Sequence, residues 1–116
     1  MARKENNIIA MIFDEAFYRK MATQKWRQQD YKKAAEYYEK VLELSPKDFD
    51  IQQHYAQCLV KLNIGKKAER LFYENIVKDF HVAESFYELS QLNIELNEPN
   101  KAFLFGINYV ILSEDK

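Results

Sequence analysis

The chain has 116 residues, a formal net charge of −1, 47% apolar residues and 30% charged ones. That balance excludes a disordered polar tail, a membrane-embedded bundle and a general nucleic-acid binder. Only two glycines and two prolines occur, which excludes collagen-like, linker-like and turn-rich β architectures and favours long helices with short connections.

At the N-terminus, Arg3 and Lys4 precede an apolar stretch from Ile8 to Phe13, which Asp14 and Glu15 end after six residues. A secretory segment needs about 7–15 apolar residues and a spanning helix about 20. The expectation is therefore a soluble, cytoplasmic chain whose residues 1–14 lengthen the first helix. The one cysteine, Cys58, has no internal partner, which fits a reducing compartment. Apolar spacing predicts helices over 7–28, 31–44, 48–62, 65–78, 82–96 and 99–112. In the second, Ala34, Tyr38, Val41 and Leu42 share a face, and Ser45-Pro46 stops the helix, because a residue before proline avoids the α region. Tyr55, Ala56, Leu59 and Leu62 form the stripe of the third. Asn63-Ile64-Gly65 breaks the chain before Ala68, Leu71, Phe72 and Ile76 resume the pattern. Phe86, Leu89, Leu92 and Leu96 mark the fifth helix, and Asn97-Glu98-Pro99 reads as an N-cap with proline in the first turn. The last helix, Ala102–Leu112, is apolar nearly all round.

These helices repeat. Ala34, Ala68 and Ala102 are spaced by 34 residues, with Lys33, Lys67 and Lys101 before them in the same register. Upstream, Ala22, Ala56 and Ser90 keep the 34-residue interval, and Tyr18, Gln52 and Phe86 fill one slot in which Gln52 is the odd member. A helix pair repeated at this period resembles the tetratricopeptide repeat. The resemblance covers residues 15–116 as three units, 15–48, 49–82 and 83–116. Its leucine slot holds Met21, Tyr55 and Leu89, its later aromatic slot Tyr38, Phe72 and Gly106, and its terminal proline appears only as Pro46. It implies an all-α, right-handed superhelix of three stacked hairpins, in which no unit can bury its apolar face alone.

The resemblance also implies a concave groove lined by the first helix of each pair. It would present Arg19, Lys20, Thr23, Trp26 and Arg27 from the first unit. The second would give Asp50, Gln53, His54, Gln57 and Lys61, and the third Glu84, Tyr87, Glu88, Gln91 and Glu95. Charge along that list runs from basic through amide-rich to acidic, a gradient able to orient an extended peptide or helix. The alternative is a set of solvated faces. Some family members clamp the C-terminal carboxylate of chaperones. Arg19, Thr23, His54, Glu84 and Glu88 occupy the matching positions, and two required cations are carboxylates, so an EEVD-type tail should be repelled. Trp26 has two readings, packing on Tyr31 at the helix turn or standing in the groove as an anchor.

Catalytic and cofactor signals are weak. His54 and Cys58 lie one helical turn apart, but two ligands are too few for a closed zinc site. No phosphate-binding, zinc-protease or nucleophile-elbow motif occurs. The expectation is no cofactor, no metal and no enzyme. Lys32-Lys33, Lys66-Lys67 and Lys101 would form a basic edge, balanced by Glu36 and Glu69. At the two ends, Ile8 and Ile12, and Phe103, Phe105 and Ile111, form apolar stripes of the kind that is normally covered. They predict a homodimer through the terminal helices, a longer repeat protein, or a partner held there. The sequence thus points to a non-enzymatic protein–protein interaction module, an adaptor or scaffold with a peptide or helix in its groove. The alternatives are an oligomerisation domain and a client-specific secretion-type chaperone.

Overall fold

The computed structural model describes residues 14–114, and these form six α-helices with no strand among them. They are α1 (Glu15–Arg27), α2 (Tyr31–Leu44), α3 (Phe49–Lys61), α4 (Gly65–Val77), α5 (Val82–Glu95) and α6 (Pro99–Glu114). Each start has a local cause. The Asp14, Asp30 and Asp48 carboxylates accept from the amides of Phe17, Lys33 and Ile51 at 3.0, 3.2 and 3.1 Å, satisfying donors that the first turn leaves free. Ile64 and His81 precede α4 and α5 without a side-chain cap.

The ends of α1, α3, α4 and α5 share one device. Gln29, Asn63, Asp79 and Asn97 adopt positive φ of 60, 62, 65 and 59°. After α1, the Gln29 amide donates to Trp26 O and the Asp30 amide to Lys25 O, both at 2.9 Å. The same pair of bonds recurs after the other three helices, at Val60 and Leu59, Ile76 and Asn75, and Ile94 and Asn93. Asn97 therefore closes α5 and does not cap α6, which corrects the expectation from Asn97-Glu98-Pro99. Its short amide tolerates the left-handed conformation that ends a helix. The first predicted helix is also corrected at its start. Asp14 is extended, with φ −82° and ψ −177°, and acts as a cap. Residues 1–13 of the expected extension lie outside the described residues.

Helices pair as α1–α2, α3–α4 and α5–α6, each pair packs on the next through α2–α3 and α4–α5, and α3 also touches α5. The most extensive contacts thus join helices adjacent in the chain. The radius of gyration is 16.6 Å and the extents are 58 × 27 × 21 Å, against about 13 Å for a compact domain of this length. The stack is elongated because each pair meets only the pairs beside it. This is an all-α helical-repeat solenoid.

Small residues set the crossings. Ala22, Ala34, Ala56 and Ala68 are fully buried and Ala102 nearly so, which lets helix axes approach closely. Tyr38, Val41, Leu59, Phe72 and Leu89 fill the space between pairs, at about 1.5–3 kcal/mol for each large apolar side chain removed from water. A Cβ on Gly65 would lie 3.0 Å from Leu92 Cδ1, so the glycine at the start of α4 makes room for α5.

A candidate interaction face on the first helices of each pair

The helices α1, α3 and α5 present most of the residues expected to line a groove. Lys20, Thr23, Arg27, His54, Lys61, Glu84, Tyr87, Gln91 and Glu95 are exposed, and Gln57 and Glu88 are half-buried. On α1, Arg19, Lys20, Thr23, Gln24 and Arg27 line a shallow depression of about 470 Å³. Between α3 and α5 the structure brings Gln57, Lys61 and Glu88 together. Burial raises the Glu88 carboxyl above its ordinary value, while a hydrogen bond to Gln57 and the charge of Lys61 act the other way. His54 lies flat against Tyr38 of α2, with ring centroids 6.0 Å apart.

Three expected groove residues have other work. Gln53 is buried, 3% exposed. Its Oε1 accepts from Asn75 Nδ2 at 2.8 Å and Ser85 Oγ at 3.0 Å, so it joins α3 to α4 and α5 and does not face a ligand. Gln52 completes this seam by donating to Asn75 Oδ1 at 3.0 Å, and Asn75 Nδ2 also donates to Phe49 O at 3.1 Å. Arg19 is engaged as well. It pairs with Glu15 on its own helix and with Asp48, the cap of α3. Ser45 Oγ donates to the other Glu15 oxygen at 2.8 Å. Bonds from Arg19 and Ser45 hold the Glu15 carboxyl below the ordinary carboxylate range. Trp26 packs edge-on against Tyr31 at 5.1 Å, which resolves its two readings in favour of packing.

Sequence reasoning missed the polar seam, although a signal was present. Gln52 stands where the other repeats have Tyr18 and Phe86, and Asn75 where they have Val41 and Tyr109. The two polar exceptions fall in the same repeat and bond to each other. Asp50, a further expected groove residue, pairs with His81. From the basic edge, Lys67 lies 5.3 Å over the Tyr55 ring, and the Tyr55 hydroxyl donates to Glu39 at 2.6 Å. Tyr87 meets Tyr109 of α6 at 5.2 Å while staying exposed.

His54 is open to water and Cys58 is fully buried, its thiol pushed up to about 12 by burial. No group of three or more His, Cys, Asp or Glu gathers among the described residues in a way that could hold a metal. Of the expected assembly residues, Phe103 and Ile111 are exposed, at 68% and 56%. Phe105 is not, because it packs against Tyr73 at 5.6 Å and Phe86 at 6.3 Å inside the molecule. Ile8 and Ile12 lie outside the described residues. No helix among the described residues is long and apolar enough to cross a membrane.

A tetratricopeptide-repeat family model matches residues 25–72, which run from the end of α1 through α2 and α3 into α4. That stretch is similar to a tetratricopeptide repeat, and the six-helix solenoid is the fold such repeats build. Repeats of this type generally mediate protein–protein interaction. The crystal structure of MamA protein superposes on the chain with a TM-score of 0.74 at 20% identity, covering 84% of this chain. At that identity the likeness is one of fold. The chain spans 54% of the MamA structure's length. No curated protein sequence matches the chain.

Proposed function

We propose that this tetratricopeptide-repeat protein is a non-enzymatic adaptor or scaffold, and that the face shared by α1, α3 and α5 takes a peptide or helix of another protein. One observation carries the reading, a reversal of charge along that face. Lys20 and Arg27 on α1 are exposed, Glu84 and Glu95 on α5 are exposed, and none of the four joins an ion pair among the described residues. Uncommitted charges of opposite sign at the two ends of one face favour a ligand of the opposite polarity and fix its direction. The same charges disfavour an EEVD-type chaperone tail. Glu84 and Glu88 would repel its carboxylate, and Arg19 is already held by Glu15 and Asp48.

The test compares wild type with Glu84→Lys, Glu95→Lys, two exposed positions whose change leaves the packing intact. Each protein is used as bait in affinity capture from source lysate, with circular dichroism as the check on folding. A partner held by wild type and released by the variant is the expected result. Equal recovery of every bound protein by both baits sinks the reading. In calorimetry, an EEVD-ending peptide is expected to give no binding heat, and tight binding would contradict the charge argument.

A further inference from the structure

Repeat register makes α6 unlike the second helices before it. Leu104, Ile107 and Ile111 fall where α2 has Glu36, Glu39 and Glu43 and where α4 has Arg70, Tyr73 and Val77. All six of those earlier positions are exposed even though another repeat follows. A helix seated on α6 in the place of a next repeat would meet the stripe equivalent to Ala35, Tyr38 and Leu42, namely Phe103, Gly106 and Val110. It would leave Leu104, Ile107 and Ile111 in water. The apolar arc of α6 therefore extends past the seam used within the solenoid, toward the outer side of the stack.

The surface is substantial and carries no charge. No ionisable acid or base occurs from Ala102 to Ser113 apart from the Tyr109 phenol. Phe103, Leu104, Val110 and Ile111 are half-exposed or more, with Ile107 at 39%. Phe103, Gly106, Ile107, Val110 and Ile111 line an apolar hollow of about 400 Å³. From these exposures the face offers about 500 Å² of apolar area per copy, so a symmetric pair would bury at most about 1,000 Å², the low end for a specific interface.

We infer that this face is a homodimer contact, made by two α6 helices packed antiparallel about a two-fold axis at Ile107. The arrangement is self-complementary, as an isologous contact requires. Phe103 of one copy faces Ile111 of the other, Leu104 faces Val110, and Ile107 meets its own mate. Gly106 beside the axis removes a side chain and lets the helices approach. An uncharged face gains nothing from a charged partner, and antiparallel helices oppose their dipoles favourably. The contact spans the end seam and the outer side of α6 and leaves the face of α1, α3 and α5 free.

The experiment measures the mass of the full chain by sedimentation equilibrium over a wide dilution range, for wild type and for Ile107→Glu, Ile111→Glu. That variant gives α6 the glutamates α2 already carries at Glu39 and Glu43, so helix content is expected to hold. Wild type is expected at twice the chain mass, dissociating on dilution, and the variant at the single-chain mass. A second arm does not depend on the folding of that variant. Ile107→Cys is oxidised mildly beside a Glu36→Cys control, with Cys58 buried and out of reach. Ile107→Cys should cross-link to a dimer well ahead of the control. A wild type that stays monomeric at every concentration overturns the inference, whether or not α6 binds a helix of another protein. So does a dimer that survives both glutamates, or cross-linking no faster than the control. Glu84→Lys, Glu95→Lys should leave the dimer mass unchanged, which separates this contact from the proposed ligand face.

Discussion

Glu88 and Glu15 are displaced in opposite directions, and the sign of each follows from its surroundings. Burial raises Glu88 above 4.5, so the folded chain holds that proton more tightly than the unfolded one. Its contribution is most favourable below pH 4.5 and is lost as pH rises through the folded value. Glu15 is held below 4.5 by Arg19 and Ser45, so its contribution is present above pH 4.5 and is lost as pH falls through the lowered value. Glu88→Gln is therefore expected to raise Tm at neutral pH and to flatten the Tm profile above pH 4.5. It should leave the acid limb in place, and thermal melts across the pH range check this. A buried residue gives a larger effect. Asn75→Ala strips partners from Gln52 and Gln53 and should cost about 2–3 kcal/mol in urea unfolding. Gln52→Phe with Asn75→Val rebuilds the apolar pattern of the other repeats and should recover most of that loss, since replacing both members of a buried polar pair is nearly neutral. A double variant no more stable than Asn75→Ala would show that the seam is not a replaceable pair.

Helix ends are where local sequence and architecture agree most closely. Gln29, Asn63 and Asn97 hold one left-handed position at intervals of 34 residues, each closing the first helix of its pair. Asparagine suits that conformation and glutamine does not, because only short polar residues and glycine enter it at low cost. Gln29→Gly should therefore stabilise the protein by about 0.5–1 kcal/mol and raise Tm by a few degrees. A fall in Tm would mean that the Gln29 side chain contributes more than its backbone strain costs. The caps show why some starts were legible. Asp30 and Asp48 stand directly before α2 and α3 and accept from their first turns, whereas Asn97, two residues before α6, closes α5. The residue type marks a boundary, and only the φ angle says which helix the boundary belongs to.

Across the whole molecule, burial is uneven. The helix α3 buries residues along most of its length, including Ile51, Tyr55, Cys58 and Leu59, whereas α6 buries only Ala102. In a stack held by nearest neighbours, the middle pair is supported on two sides and the end pair on one. Amide exchange at low protein concentration should be slowest in α3 and fastest in α6. Raising the concentration should slow α6 selectively if two copies meet there. Uniform exchange along the chain would show that the solenoid opens as one cooperative unit.

The repeat was written in the sequence because small residues are needed wherever two helices cross closely. That is why Ala34, Ala68 and Ala102 recur at one interval and why the fold class follows from them. The alternation of helix and break was legible for the same kind of reason, since capping and turn chemistry act within a few residues. The face on α1, α3 and α5 was legible only in outline. Lys20, Arg27, Glu84 and Glu95 reach water as expected, but Gln53 is buried and Arg19, at the edge of the face, is paired with Glu15 and Asp48. A glutamine has the same letter whether it faces solvent or a buried asparagine, and an arginine gives no sign of which carboxylates approach it. Those roles depend on Asn75, Ser85 and Asp48, which lie 22, 32 and 29 residues away. Periodic packing is specified within a few residues and can be read along the chain. The partnering of individual polar groups depends on how one pair rotates against the next, which is fixed only when the pairs are stacked.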